Sequence, residues 1–208
     1  MTPLLLSIVV GHMFMATQAQ TPVPPPSAQT LFESGQYQAL LEQIAVAKDE
    51  AAPPDALYLA GQAALKLEPP DRDAAKTAYA QLEGEGDETR AWTFIARSAT
   101  LLIDHAGDPA LAAAQQAVEI APDEMFAHYQ LGLAQGEKRA WADAAAAFEE
   151  ATTLTPTFAY AHYYAGLSYY QVKRLDKMSA FFERFLKLAP EAPERPAVEA
   201  LLRAMRRR

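Results

Sequence analysis

The chain contains no cysteine. That excludes a disulfide framework, a thiolate metal site, a cysteine nucleophile and a lipid-modified cysteine, and it leaves the redox compartment open. A basic excess is also missing: 18 Lys and Arg stand against 26 Asp and Glu, a formal net charge of -8. A partner dominated by phosphate calls for a basic face. The cations gather only at Arg203, Arg206, Arg207 and Arg208, where positive charge suits the carbonyl end of a terminal helix. Glycine is sparse, with nine residues, and no phosphate loop, dinucleotide fingerprint or nucleophile elbow is present. The short GEG at Gly84 to Gly86 is acidic and cannot cradle phosphate. Beyond the first residues, no apolar run approaches the roughly 20 needed to span a bilayer.

What is present begins with a leader. Leu4 to Val10 is apolar, Met13 to Met15 continues it, and Thr17 and Ala19 put small residues where signal peptidase cuts. Cleavage after Ala19 is expected, which gives a signal peptide over 1–19 and a periplasmic or secreted product. No Lys or Arg precedes the run, so an uncleaved membrane anchor, or a start at Met13 or Met15 leaving a cytoplasmic protein, remains an alternative. The TPVPPP run at Thr21 to Pro26 resists helix, since each proline lacks an amide proton and restricts its predecessor. The spacer is placed at 20–27.

From Ala28 onward apolar residues recur at steps of three and four, half of the chain is apolar, and β-branched runs are scarce. Helix is the one regular structure this supports. Pro122, Pro156 and Pro190 lie 34 residues apart, each closing a segment of similar pattern, and such a period belongs to stacked helix pairs. Between Met125 to Pro156 and Ala159 to Pro190, His128 matches His162, Gly132 matches Gly166, Trp141 matches Leu175, Phe148 matches Phe182 and Leu154 matches Leu188. Glycine within a helix costs roughly 1 kcal/mol relative to alanine. Close approach of the paired helix offsets that cost, so Phe148 and Phe182 are expected to bury against Gly132 and Gly166.

His128, Gly132, Ala144, Phe148, Ala151 and Pro156 resemble the tetratricopeptide repeat, which sets large, small, small, aromatic, small and proline at these spacings. The next copy keeps Gly166, Phe182 and Pro190 but carries Met178 and Phe185 where alanine is usual. The copy at 91–122 keeps Phe94, Ser98, Ala110, Ala114 and Ala117, with Arg97 in place of the usual leucine. Asp108 before Pro109 reads as a capped helix start. Upstream, Leu57, Gly61, Ala75, Tyr79 and Leu82 fit if two residues are inserted near Glu68 to Asp71, and Leu31, Phe32, Gly35, Tyr37, Leu40, Leu41 and Ile44 resemble a truncated first repeat. The connection at Glu83 to Glu88 reads as an acidic joint. The expected architecture is all-α: a right-handed superhelical solenoid of stacked antiparallel helix pairs over 28–190, with best copies at 91–122, 125–156 and 159–190. A capping helix and basic tail follow over 191–208, with Pro193 and Pro196 bracketing the helix start.

The resemblance implies an exported bacterial protein-interaction scaffold, with no catalytic residues, no cofactor and no metal. The equivalent histidines His128 and His162 are expected about a helix diameter apart, too far to share an ion. In this family the first helix of each pair lines the concave face, which carried over gives Trp92, Ile95 and Leu102, then Phe126, Tyr129 and Leu133, then Tyr160, Tyr163, Leu167 and Tyr170. Aromatic residues of this kind are enriched in binding hot spots, although each is equally expected as packing between helices. Family members that clamp a terminal carboxylate do so with lysine, arginine and asparagine; here those positions hold Ile95, Ala99, Tyr129, Leu133, Tyr163 and Leu167. An apolar or aromatic segment of a protein partner is the expected occupant, and the implied role is an adaptor or envelope assembly factor. A self-associating repeat protein is the alternative.

Overall fold

The computed structural model describes residues 25–46, 52–83 and 87–206. The leader over 1–19, the spacer's prolines before Pro25, Gly84 to Gly86 and the last two arginines lie outside the described residues. Among those described there are helices and no strands: α1 (Ala28–Glu33), α2 (Tyr37–Val46), α3 (Pro54–Leu65), α4 (Arg72–Ala80), α5 (Asp87–Ile103), α6 (Gly107–Ile120), α7 (Met125–Glu137), α8 (Trp141–Leu154), α9 (Ala159–Gln171), α10 (Leu175–Leu188) and α11 (Arg195–Arg206). Each helix packs on its neighbour in sequence, and the inner helices α5 and α7 also pack on each other. No described helix is long and apolar enough to cross a membrane.

The pairs close where the repeat pattern places its smallest residue. A methyl group on Gly132 would fall 2.7 Å from the Phe148 ring, and one on Gly166 would fall 2.6 Å from Phe182. Gly61 meets Tyr79 in the same manner. In the copy between them, Ser98 takes the small position, fully buried, and its hydroxyl accepts from Gln130 Nε2 at 3.0 Å. Met178 and Phe185, the bulky replacements in the last repeat, are both fully buried and extend the core toward Val198 and Leu202 of α11. That helix covers the end of the stack.

The turns within the three best repeats share one device. His105, Arg139 and Lys173, 34 residues apart, have φ of 57°, 58° and 61°, a left-handed conformation that ends the inner helix and reverses the chain. Asp108 does not cap α6: that helix begins at Gly107 with Ala106 at the cap and no side-chain hydrogen bond. The Asp108 carboxylate instead pairs with Lys138 of the next turn, because the left-handed residue His105 has already set the direction of the chain. The turns between repeats are pinned by the paired histidines. His128 Nε2 donates to the Pro122 carbonyl at 2.8 Å and His162 Nε2 to the Pro156 carbonyl at 3.0 Å. Burial pushes the His162 pKa down, against the opposite effect of its bond to the Pro156 carbonyl.

Candidate interaction surfaces

The inner face is filled along much of its length by aromatic side chains of the chain itself. Tyr58 of α3 lies 5.1 Å from Phe126 and 6.3 Å from Tyr129, ring to ring, and Trp92 reaches Phe126 at 5.6 Å. Tyr129 is 1 % exposed, ringed by Phe148, Phe158 and Tyr164 at 5.2–5.8 Å. Through the same layer, Tyr58 Oη donates to Gln130 Oε1 at 2.6 Å, and Gln62 Nε2 donates to the Tyr79 hydroxyl at 3.0 Å. Desolvation pushes the Tyr58, Tyr79 and Tyr129 hydroxyls well above the usual phenol range; Tyr58 and Tyr79 act here as neutral hydrogen-bonding groups, whereas the buried Tyr129 hydroxyl has no hydrogen-bond partner.

The residues expected to line the concave face therefore divide. Ile95, Phe126, Tyr129 and Tyr160 are buried among the inner helices. Trp92, Leu133, Tyr163 and Leu167 are half-buried, and Tyr170 is 44 % exposed at the end of α9. The physical reason is α3, whose N-terminal half lies against Phe126 and Tyr129 and whose end brings Lys66 within 4.7 Å of the Tyr160 ring. Repeat spacing identifies an inward face; it does not reveal that the chain's own early helices cover it.

Where the inner helices end, the cover stops. A recess of about 340 Å³ opens between the second half of α3, the start of α4 and the ends of α5 and α7. Its walls are Leu65, Leu102, Ile103 and Leu133. Gln62, Arg72, His105 and Glu137 supply its polar lining. Leu102 and Leu133 belong to the expected inner face. Leu65, Gln62 and Arg72 carried no such signal, because the first pair departs from the repeat spacing through the insertion before α4.

The first and last parts of the chain also meet. Phe32 of α1 is fully buried with its ring 4.8 Å from Tyr160. Glu33 accepts from the Ala159 amide at 2.6 Å, Gln29 Nε2 donates to the Thr157 carbonyl at 3.2 Å, and Lys66 pairs with Glu194 at 2.6 Å. Glu194 in turn accepts from the Tyr160 hydroxyl at 2.6 Å, and that hydroxyl lies 3.3 Å from the Tyr37 hydroxyl. Burial pushes the Glu33 carboxyl up to about 6 against the lowering effect of its two hydrogen bonds. Nothing in the repeat pattern signalled this contact, which joins residues 126 positions apart. Among the described residues no group of three or more His, Asp or Glu side chains is placed to hold a metal ion.

Solved structures with this arrangement of helices are helical repeat proteins. TTC0263, a thermophilic TPR protein in Thermus thermophilus, superposes with a TM-score of 0.61 at 21 % identity, over 84 % of this chain and 95 % of that one. The fold is a tetratricopeptide-repeat solenoid. The first TPR of Spaghetti (RPAP3), bound to the HSP90 peptide SRMEEVD, matches at a TM-score of 0.50 and 16 % identity, over 54 % of this chain and 93 % of that one. No protein-family model matches the sequence, and no curated protein matches it significantly.

Proposed function

We propose that this tetratricopeptide-type solenoid is a scaffold that binds a protein partner through an apolar segment seated in the recess at the ends of α3, α5 and α7. The observation that carries the reading is the recess itself, where the aromatic filling of the inner face gives way to Leu65, Leu102, Ile103 and Leu133 beside polar Gln62 and Arg72. Concave sites of this kind, apolar with a few placed polar groups, are the usual form of a binding pocket. The neighbour from RPAP3 binds the peptide SRMEEVD. That acidic tail is not expected to bind here, since the inner positions of this chain carry Ile95, Ala99, Tyr129, Leu133, Tyr163 and Leu167 rather than cationic side chains.

The leader supports placing the scaffold outside the cytoplasm, in the periplasm or beyond, as an adaptor in envelope assembly. N-terminal sequencing of the product from its native host checks that placement: a mature chain beginning at Gln20 is expected. For the recess, an array of labelled helical peptides with leucines at i and i+4 is titrated against the protein by fluorescence anisotropy. Leu133→Asp is expected to weaken the best binder at least tenfold while the helical circular dichroism stays unchanged. Equal binding by wild type and Leu133→Asp would refute the recess as the site.

A further inference from the structure

The repeat register exposes a difference between α7 and α9 that the recess does not use. At the start of α7, the Glu124 side chain accepts from the Phe126 amide at 3.0 Å, satisfying one of the donors that every helix leaves open at its N-terminus. Thirty-four residues on, the same cap position of α9 holds Phe158, which has no side-chain hydrogen bond to give. An acceptor does reach the start of α9 from elsewhere in the chain: Glu33 accepts from its first amide, that of Ala159, at 2.6 Å, one residue before the position that Glu124 serves in α7. The Ala159 amide donor at the start of α9 is thus met by a side chain from outside its own repeat.

Phe32 and Glu33 of α1 cover that site, with Leu31 buried beside them. Leu31 is 3 % exposed, the Phe32 ring packs on Tyr160, and Glu33 takes the amide. The walls of the cleft do not depend on α1. Phe158 packs on Phe126 and Tyr129, and Tyr160 packs on Phe185, all within the last repeats. The segment that occupies it is short, and four of its six residues, Ala28, Leu31, Phe32 and Glu33, are buried by contacts with the rest of the chain. α1 has six residues, well below the roughly 12–15 at which an isolated helix becomes stable, and α2 fully buries Leu40 alone. A helix too short to stand alone opens as a unit once its contacts with the rest of the chain are lost.

We infer that the cleft at the start of α9 is a docking site for a short helix of a partner protein carrying an apolar residue, an aromatic and a glutamate in succession, and that α1 is an intramolecular occupant which the partner displaces. The chemistry of the partner is read from α1: the aromatic fills the space beside Tyr160, and the carboxyl supplies the acceptor that Phe158 cannot. A tethered occupant competes at an effective concentration in the millimolar range, so the intact chain presents a weakened site until α1 leaves. This proposal goes beyond the recess, rests on residues that do not line it, and does not depend on what binds there.

The probe is a labelled peptide of residues 27–37, SAQTLFESGQY, titrated by fluorescence anisotropy against the full chain. Phe32→Ala, which unseats α1, is expected to bind it at least tenfold tighter than wild type. Glu33→Lys, which removes the acceptor, is expected to do the same and carries the test if Phe32→Ala lowers helicity. Peptides with the phenylalanine or the glutamate changed to alanine are expected to lose that gain. Adding Ala159→Pro to the unseated variant removes the amide donor at a first helical position, where proline is tolerated, and should weaken the peptide severalfold. Binding that is no tighter to Phe32→Ala and Glu33→Lys than to wild type, or that ignores the two peptide changes, overturns the proposal. Leu133→Asp serves as the control, because its loss of recess binding leaves this titration unchanged.

Discussion

At the scale of single residues, the fold depends on pairs of unequal size. Gly132 and Phe148 share one volume, as do Gly166 and Phe182, and neither partner can change alone. Gly132→Ala improves helix propensity by roughly 1 kcal/mol, yet its methyl group overlaps a ring in a close-packed interior, where overpacking costs about 1–3 kcal/mol. A lower thermal midpoint by circular dichroism is the expected result. Phe148→Ala leaves a cavity instead and should cost about 3–5 kcal/mol in urea unfolding. Lys173 presents the opposite case. It is exposed, and its φ of 61° places a Cβ in a strained region. An L residue pays roughly 1–2 kcal/mol to adopt that conformation, and glycine loses about 0.5–1 kcal/mol through its larger unfolded-state entropy. Lys173→Gly is therefore expected to stabilise by about 0.5–1 kcal/mol, and an unchanged or lower urea midpoint would contradict the conformational argument.

Elements differ in what holds them. The inner helices α5, α7 and α9 are held by rings on several sides, so Tyr129→Ala should unfold the protein rather than weaken a partner selectively; its 1 % exposure leaves it no open face. By contrast, α1 is only six residues long, and among the contacts that seat it the Glu33 carboxyl is titratable. Burial raises that group from its ordinary value of 4.5 to about 6 in the folded chain, while Gln29 and the Ala159 amide, the groups that bond it, act in the opposite direction. A raised acid pKa means that the seated form holds its proton more tightly. Its contribution to stability is present in full below about pH 4.5 and is lost as the pH rises through about 6. Hydrogen exchange of the α1 amides, corrected for intrinsic rate, is expected to show greater protection at pH 5 than at pH 7.5. Glu33→Gln should remove most of that difference.

The whole molecule departs from a simple stack. In an open solenoid each repeat touches only its neighbours, and stability is a sum of local terms. Here Glu33, Gln29 and Tyr37 contact residues of α9 and the turn before it, and Lys66 contacts Glu194 before α11. Damage in the last repeat should therefore be felt at the first. Phe182→Ala is expected to raise hydrogen exchange in α1 as well as in α9 and α10, whereas an open stack would confine the effect to α8–α11. The closure also bears on binding, because it divides the inner face into a covered aromatic part, an open recess and a cleft already occupied by α1.

What the sequence determined by itself was the local and the periodic. Proline at a 34-residue interval, Gly132 and Gly166 against Phe148 and Phe182, and helical spacing throughout reflect forces that act between residues near in the chain or one repeat apart. They specify helices, pairs and the direction in which each pair faces. Tertiary structure decided what covers that inward face. Burial of Ile95, Phe126, Tyr129 and Tyr160, the place of Gln62 and Arg72 beside the recess, and the bond from Glu33 to the amide of Ala159 arise from the curvature that many small packing angles accumulate. A repeat pattern carries the packing of each step; the accumulated turn that brings α1 onto α9 belongs to the assembled molecule alone.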